Sequence, residues 1–460
     1  MPRKHRTPHV CKAHQGPLPI RAPALLDELP PLIQMERDVT VEFCEPQRLD
    51  LLRRIKELEA SLPVPACCGH PMKNRGRKET SFLCRFGRIV LFPVTFRCAL
   101  CKRRVRPLMD ALGVEHGSIS GSLARLLALL GVLVPYQLAA RLALIFFGVE
   151  VSAMTVWRAV QRLGEACTQY QEAQVAWHTT AQATVDEPSS APDVVVVGVD
   201  GCALGMQVRA HRRHRKTASE VLPPLPPVDG GHFREVKTGV MLIPAQRCEP
   251  SPGRRSVLRR VLVTCLGNAD RVFDHVTTKL ALLGWLGRAT VVVIVGDGAE
   301  WIWNRAKLFV NRCEILDFWH AIERAWEFSR LRFGQESTMG AQWIARITAD
   351  LRAGKVEAII ARLGRIQTTS SEERNNLDGL IKYYTNNASR MRYDKYLRLG
   401  YGIGSGAVES AHKQVVHARL RQAGMRWSEA GARRLLALRV LLLNDEWPML
   451  DRLRMKSFAA

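Results

Sequence analysis

Val194-Val-Val-Val-Gly-Val-Asp200-Gly201 is the stretch on which the reading of the whole chain turns. A β-branched run bounded by glycine reads as a strand buried on both faces, and this one delivers a single carboxylate, Asp200, at its end. The design returns at Val291-Val-Val-Ile-Val-Gly-Asp297-Gly298, so two acids sit at the tips of two apolar strands that can lie side by side. In a third stretch, Tyr401-Gly-Ile-Gly-Ser405-Gly-Ala-Val-Glu409-Ser, a Gly-rich turn opens a helix and places Glu409 in its first turn. Each acid taken alone has an ordinary explanation. Asp-Gly is a strong turn dipeptide, and a carboxylate favours a helix N-terminus. A capping box from Ser405 would need Glu or Gln at position 408, which is Val408, so that explanation does not cover Glu409.

The order of elements around these acids gives the fold class. Val194 to Asp200 is followed by a second strand read over Cys202–Arg209, a basic loop (His211 to Lys216), a proline-rich insertion to Pro227 and a third strand at Phe233–Ile243. Helical sequence over Asn268–Leu286 leads to the fourth strand at Val291, a helix begins at Trp301, and Cys313-Glu-Ile-Leu-Asp317-Phe-Trp-His320 is a short fifth strand running into another helix. Charged helical sequence fills about 337–395, between the second and third acids. Three strands, helix, strand with acid, helix, strand, and a later helix bearing an acid is the order of an α/β ribonuclease H-like fold, here over 193–445 with a helical insertion. The last helix, Ser428–Asn444, pairs an apolar stripe with Arg433, Arg434 and Arg439.

With 460 residues the chain has room for two to four domains. Lys plus Arg is 67 against 43 for Asp plus Glu, a formal charge of +24, which draws polyanions and above all nucleic acid. A merely soluble basic surface is the plainer alternative. The first residues lack the apolar core of a signal peptide. The longest apolar stretch, Leu126–Ala140, falls short of the ~20 residues a bilayer needs, so a membrane partner is not expected. The 12 cysteines are scattered, which suits a reducing cytoplasm better than a disulfide scaffold.

The N-terminal half reads as DNA-binding modules. Residues 1–62 form a Pro-rich basic arm and, from Pro46, an amphipathic helix with Leu49, Leu52, Ile55, Leu58 and Leu62 on one face. Over 63–112, Cys67-Cys68-Gly-His70 and Cys98-Ala-Leu-Cys101 bracket strand-like sequence, as in a zinc-ribbon-like module. Cys67, His70, Cys98 and Cys101 are taken as the ligands of a structural Zn²⁺, with Cys68 as the spare thiol and Cys84 a further candidate. A metal-free β-ribbon is the alternative, and Lys102, Arg103 and Arg104 beside the site serve DNA contacts in either case. Residues 113–171 read as helices with a helix-turn-helix pattern. Its recognition helix, Ser152–Leu163, exposes Ser152, Thr155, Arg158, Gln161 and Arg162. An ordinary helical hairpin fits the same sequence. Residues 172–192 read as a linker and 446–460 as a tail. Lys413, Arg419 and Arg421, on the helix that follows Glu409, are further candidate DNA contacts.

Three carboxylates gathered from distant parts of a chain are what two-metal phosphodiester chemistry needs, because hard oxygen ligands must converge on two Mg²⁺ ions roughly 3.5–4 Å apart. In this scheme Asp200 bridges the ions and Asp297 and Glu409 hold one each. Asp317 and His320, three apart at a strand-to-helix junction, orient phosphate or water, or else form a satisfied surface pair.

Val-Gly-Val-Asp200-Gly, Gly-Asp297-Gly-Ala-Glu-Trp-Ile-Trp, Asp317-Phe-Trp-His320, Tyr-Gly-Ile-Gly-Ser-Gly-Ala-Val-Glu409-Ser and the following Arg-Gln-Ala-Gly-Met-Arg-Trp427 resemble the ISKra-type bacterial insertion-sequence transposases, relatives of the Mutator-like group. The resemblance covers about 60–445. It implies a DDE transposase that uses Mg²⁺, with Mn²⁺ as an alternative ion. Such an enzyme hydrolyses double-stranded DNA at element ends and then transfers the freed 3′-hydroxyl to target DNA, as a homo-oligomer on the DNA. Asp200, Asp297 and Glu409 take the places of the family's acids, and Asp317 with His320 the place of its Asp-x-x-His motif. The first zinc half-site departs from the family's usual Cys-x-x-Cys. Two other functions fit the fold: a catalytically silent, transposase-derived DNA-binding protein, and a general ribonuclease H-like nuclease indifferent to element ends.

Overall fold

A computed structural model describes residues 31–181, 190–207, 233–251, 254–257, 259–453 and 458–459. The arm before residue 31, the middle of the expected linker, the basic loop at His211–Lys216 and the proline-rich insertion lie outside the described residues. The described residues divide into two units between Glu57 and Leu58. In the first, the chain is helical from Pro31 as part of the helix Pro31–Ser61, which starts earlier than expected and runs through Pro46. Ion pairs from Arg53 to Asp50 and Glu57 brace its exposed surface.

The second unit is built on a five-stranded sheet. Its strands are β1 (Val194–Gly205), β2 (Phe233–Leu242), β3 (Arg260–Leu266), β4 (Val291–Gly296) and β5 (Arg312–Leu316). Their spatial order is β3-β2-β1-β4-β5, with β1–β2 and β2–β3 antiparallel and β1–β4 and β4–β5 parallel. β1 and β4 are the valine- and isoleucine-rich strands, as parallel strands covered on both faces should be.

Two strand expectations are corrected. Cys202 does not begin a new strand, because β1 continues unbroken to Gly205 against β2. The third strand is instead Arg260-Val-Leu-Val-Thr-Cys-Leu266, hydrogen-bonded along β2. Asp200 consequently lies inside β1 and not at its tip. It marks the level at which the shorter β4 stops pairing with β1.

Helices cover both faces of the sheet. One core, which takes in Val197, Val293 and Ile315, gathers α4 (Ala269–Leu282), the short helix Glu300–Ala306, α5 (Phe318–Phe333) and the insertion helices Thr338–Arg352, Val356–Leu363, Ser371–Asn387 and Tyr393–Arg398. A second core, with Leu204, Val236, Val240 and Leu262, gathers α1 (Gly121–Leu133), α2 (Tyr136–Phe147), α3 (Ala153–Ala181), α6 (Gly406–His412) and α7 (Glu429–Leu443). The helices expected to form a separate domain at 113–171 therefore share a core with the sheet. Their own apolar stripes are completed by strand residues.

The expected linker is corrected in the same way, since its first residues belong to α3, which runs to Ala181. The reason for so long a helix is a partner along its length. At Gly164 an added Cβ would stand 2.7 Å from the Arg434 carbonyl oxygen of α7, so only glycine lets the two helices approach this closely. Before α1, short strands make a three-stranded sheet of Lys73–Arg77, Val94–Arg97 and Arg104–Val105, beside a hairpin of Thr80–Cys84 with Gly87–Leu91.

Candidate active site

Register brings the first two acids together. Gly198 of β1 pairs in parallel with Val295 of β4, and Asp200 and Asp297 each follow by two residues. With neighbouring strands about 4.8 Å apart, two carboxylates at the same level on adjacent strands are near neighbours. The electrostatics agree. Burial pushes the Asp200 carboxyl up to about 6, and the negative charges of Asp297 and Glu235 add to that, while His320 and the Gly201 N–H pull it back. That N–H donates to Asp200 Oδ1 at 2.7 Å. Asp297 Oδ1 accepts from Ala299 N at 3.0 Å, and Tyr383, from the helical insertion, donates its hydroxyl to the Asp297 carbonyl at 2.7 Å. Gly298 turns the chain away from β4 at φ +101°, a backbone conformation that favours glycine.

Asp317 has a different place from the one expected. It is fully buried, its Oδ1 accepts from the N–H groups of Trp319 at 2.6 Å and His320 at 2.9 Å, and its Oδ2 accepts from Ser405 N. Its own N–H donates to the Gly296 carbonyl at 2.7 Å, and Phe318 N donates to the Ile403 carbonyl at 2.9 Å. Both carboxylate oxygens are thus engaged by backbone. Asp317 ties the end of β4, the start of α5 and the Gly-Ile-Gly-Ser loop into one knot, from which α6 departs. His320, on the first turn of α5, is half-exposed with Nδ1 3.5 Å from Glu323, and its charge bears on Asp200.

Glu409 is exposed on α6. One turn later on that helix His412 is buried, with Nδ1 3.6 Å from Asp200 Oδ2. The helix that carries the third acid is thereby fastened to the strand that carries the first. The carboxylate oxygens of Asp200, Asp297 and Glu409 nevertheless do not all lie within 4.8 Å of one another. Among the described residues, one group of three or more His, Cys, Asp or Glu meets that criterion, and it is a cluster of cysteines.

Sequence reasoning did not single out Glu235, whose carboxylate lies over Gly201 and is ion-paired to the buried Lys237. Lys237 Nζ in turn sits 4.2 Å from the centre of the Trp301 ring. Glu-x-Lys on a strand next to the one bearing Asp200 was the available signal.

The cysteine cluster is Cys67, Cys68, Cys98 and Cys101. His70 is corrected as a ligand: it is exposed and pairs with Cys67 across a two-strand hairpin, while the turn at Cys68 (φ +51°) and Gly69 (φ +77°) brings the neighbouring thiol into the cluster. Cys67 Sγ is 3.8 Å from Cys68 Sγ and 3.4 Å from Cys101 Sγ. Four thiolates at about 2.3 Å from a tetrahedral Zn²⁺ stand about 3.8 Å apart, so the four sulfurs fit the ion. Backbone N–H groups of Cys101 and Leu100 directed at its sulfur pull Cys98 down to about 6, the thiolate form a metal requires. Cys84 is buried outside this group.

The expected DNA contacts divide. Ser152 caps α3, accepting from Thr155 N at 3.1 Å, and on the same helix Arg158 is exposed and Arg162 half-buried. Thr155 and Gln161 are corrected, because both are buried and Gln161 accepts from Arg434 at 3.2 Å. Arg419 is corrected as well. It is 1% exposed, donates to the Gly131 carbonyl at 2.9 Å and lies against the Tyr136 and Trp427 rings. Lys102, Arg103, Arg104, Lys413 and Arg421 are exposed. Glu409, Lys413, His417 and Arg421 recur at helical spacing, and Arg421 reaches His417 Nε2 at 2.9 Å.

No protein-family model matches the chain, and no curated protein does. Among solved structures, the Drosophila P element transposase strand transfer complex is similar at 10% identity and a TM-score of 0.23, over 74% of this chain and 82% of that one. A likeness at that score carries no argument here. No described helix is long and apolar enough to cross a membrane.

Proposed function

We propose that the chain is a DNA transposase of the DDE type whose central sheet is a ribonuclease H-like catalytic domain, as its resemblance to the ISKra-type enzymes implies. The observation that carries the reading is the register that sets Asp200 beside Asp297 where parallel pairing ends. The strand order β3-β2-β1-β4-β5 and the fastening of the Glu409 helix to Asp200 support it.

The residues fit a divalent ion on their own chemistry. A half-buried Asp200 raised to about 6 beside a second carboxylate is an uncompensated acidic pair that a cation would relieve. Asp200 and Asp297, with Glu409, would hold Mg²⁺ or Mn²⁺. When bound, the ions supply activation of water or a 3′-hydroxyl and stabilisation of the leaving oxygen. Asp317 positions both the His320 turn and the Glu409 helix. The outward row Lys413, His417 and Arg421 offers a track for a phosphate backbone leading away from the acids, and the charge of +24 supplies the longer-range attraction to double-stranded DNA. The four-cysteine cluster would hold a structural Zn²⁺ near Lys102, Arg103 and Arg104. Synapsis of two element ends calls for a homo-oligomer on DNA.

Supercoiled DNA carrying the element ends, incubated with Mg²⁺, tests the proposal. Ion-dependent nicking at the ends that is lost in Asp297→Asn is the expected result, and equal cutting of DNA without the ends would point to a general nuclease. A second reading has its own support in the open spacing of the three acids: a silent, DNA-binding derivative. Tight end binding with no nicking in any divalent ion would establish it.

A further inference from the structure

His412 was not among the residues the sequence singled out, yet it occupies the one place where α6 meets the acidic pair. Its side chain is 5% exposed. Nδ1 is 3.6 Å from Asp200 Oδ2, while Nε2 is buried without a hydrogen-bond partner. Burial pushes the imidazole down to about 4, with a hydrogen bond to the Asp200 main chain acting the other way.

The backbone around it is unusual. His412 ends the α-helical segment, and Lys413–His417 is a π-helical turn. Such turns free carbonyls from the regular ladder. Here Arg439 of α7, itself buried, donates to the Val415 carbonyl at 2.6 Å and to the Gln414 carbonyl, while a third bond at 2.6 Å reaches Val132 of α1. The register of the helix at His412 is therefore held from outside. Packing at Val408, whose Cβ lies 3.6 Å from where a side chain on Gly198 would begin, holds it against β1 one turn earlier.

We propose that His412 is a positioning residue: it braces Asp200 from the α6 side and, lying three residues after Glu409 on the same helix, sets the separation between the first and third acids. Gly201 N–H donates to Oδ1 of Asp200, while His412 is hydrogen-bonded to the Asp200 main chain with its Nδ1 3.6 Å from Oδ2, so the acid is held from two sides. The role rests on the transposase reading for its consequence, but not for the contact itself. Residues that orient metal-binding carboxylates typically contribute about 10–100-fold to metal affinity or activity.

The experiment compares wild type, His412→Ala and His412→Asn in the full chain. Mn²⁺ binding is followed by electron paramagnetic resonance, together with end-specific nicking and end-DNA affinity. His412→Ala is expected to weaken Mn²⁺ binding and nicking by about 10-fold or more with DNA affinity unchanged. His412→Asn, whose amide can donate from nearly the Nδ1 position, should recover most of both. Wild-type values in His412→Ala would overturn the proposal. So would an Asn variant as impaired as Ala, because a side chain needed only to fill space would not be rescued by a donor. If wild-type protein binds Mn²⁺ but does not nick, the transposase reading fails while the Mn²⁺ series still decides the role of His412. If wild type binds no Mn²⁺, both fall.

Discussion

On the proposed transposase reading, Asp200 links stability to function through its charge. Its carboxyl is raised above the ordinary value to about 6, so its stabilising contribution is present below about pH 4 and lost as pH rises through about 6. At pH 7.5 without divalent ions the ionised group is a liability of about 1–2 kcal/mol, after allowance for its partial exposure. Asp200→Asn is therefore expected to abolish cleavage and yet raise the metal-free melting temperature by about 1–3 °C, with Mg²⁺ stabilising wild type and not the variant, as thermal scans would record. At the cysteine cluster, Cys68→Ser should lower the zinc content from one ion per chain, whereas His70→Ala should leave it intact. Metal analysis of the purified proteins distinguishes the two. The sequence pointed to Asp200 and Asp297 because a β-branched run ending in Asp is a local signal. It misassigned His70 because ligand spacing says nothing of a positive φ at Cys68, which is what carries the adjacent thiol inward. Arg419 was misread for a related reason. An arginine on a polar helix reads as solvated, and only the tertiary structure places Tyr136, Trp427 and the Gly131 carbonyl around it.

The elements that matter most are those held at their ends. α6 begins at Ser405, whose N–H is taken by Asp317, and passes into the π turn whose carbonyls are taken by Arg439. Arg439→Ala removes the side-chain donor from three carbonyls and should lower stability by about 3 kcal/mol in urea unfolding, more than the loss of an exposed ion pair would. Tyr383 does the same service for β4 by holding the Asp297 carbonyl. Tyr383→Phe keeps the ring and removes that bond, so it should reduce nicking several-fold while the melting temperature falls by only about 1–3 °C. Of the five strands, β1, β2, β4 and β5 were legible, β1 and β4 from unbroken runs of Val and Ile. β3 was not, because Arg260-Val-Leu-Val-Thr-Cys-Leu266 runs directly toward the helix that begins at Ala269, and no turn residues other than Gly267 and Asn268 separate them. Nor did the sequence reveal that α3 passes into the expected linker, since a partner there, α4, whose Arg271 and His275 meet Glu172, lies far along the chain.

Across the second unit, the helices on one face of the sheet are part of its core and not an attached module. Leu204, Val236, Val240 and Leu262 point into the side covered by α1, α3 and α7. A chain beginning at residue 190 would expose them, and it is expected to be degraded by limited proteolysis where the full chain resists. The architecture around the acids was legible in outline because the strands and acids recur in order. The sharing of one core by distant segments was not, because a helix shows its apolar face without saying which sheet will cover it. The central claim is that Asp200 and Asp297 bind one divalent centre. Replacing Mg²⁺ with Fe²⁺ and adding peroxide and ascorbate generates hydroxyl radicals that cut the backbone beside the bound ion, and the fragments can be mapped by mass spectrometry. Cuts next to both residue 200 and residue 297, suppressed by excess Mg²⁺ and absent in Asp200→Asn, are the expected result. A pattern confined to the cysteine cluster, or unchanged in Asp200→Asn, would contradict the account.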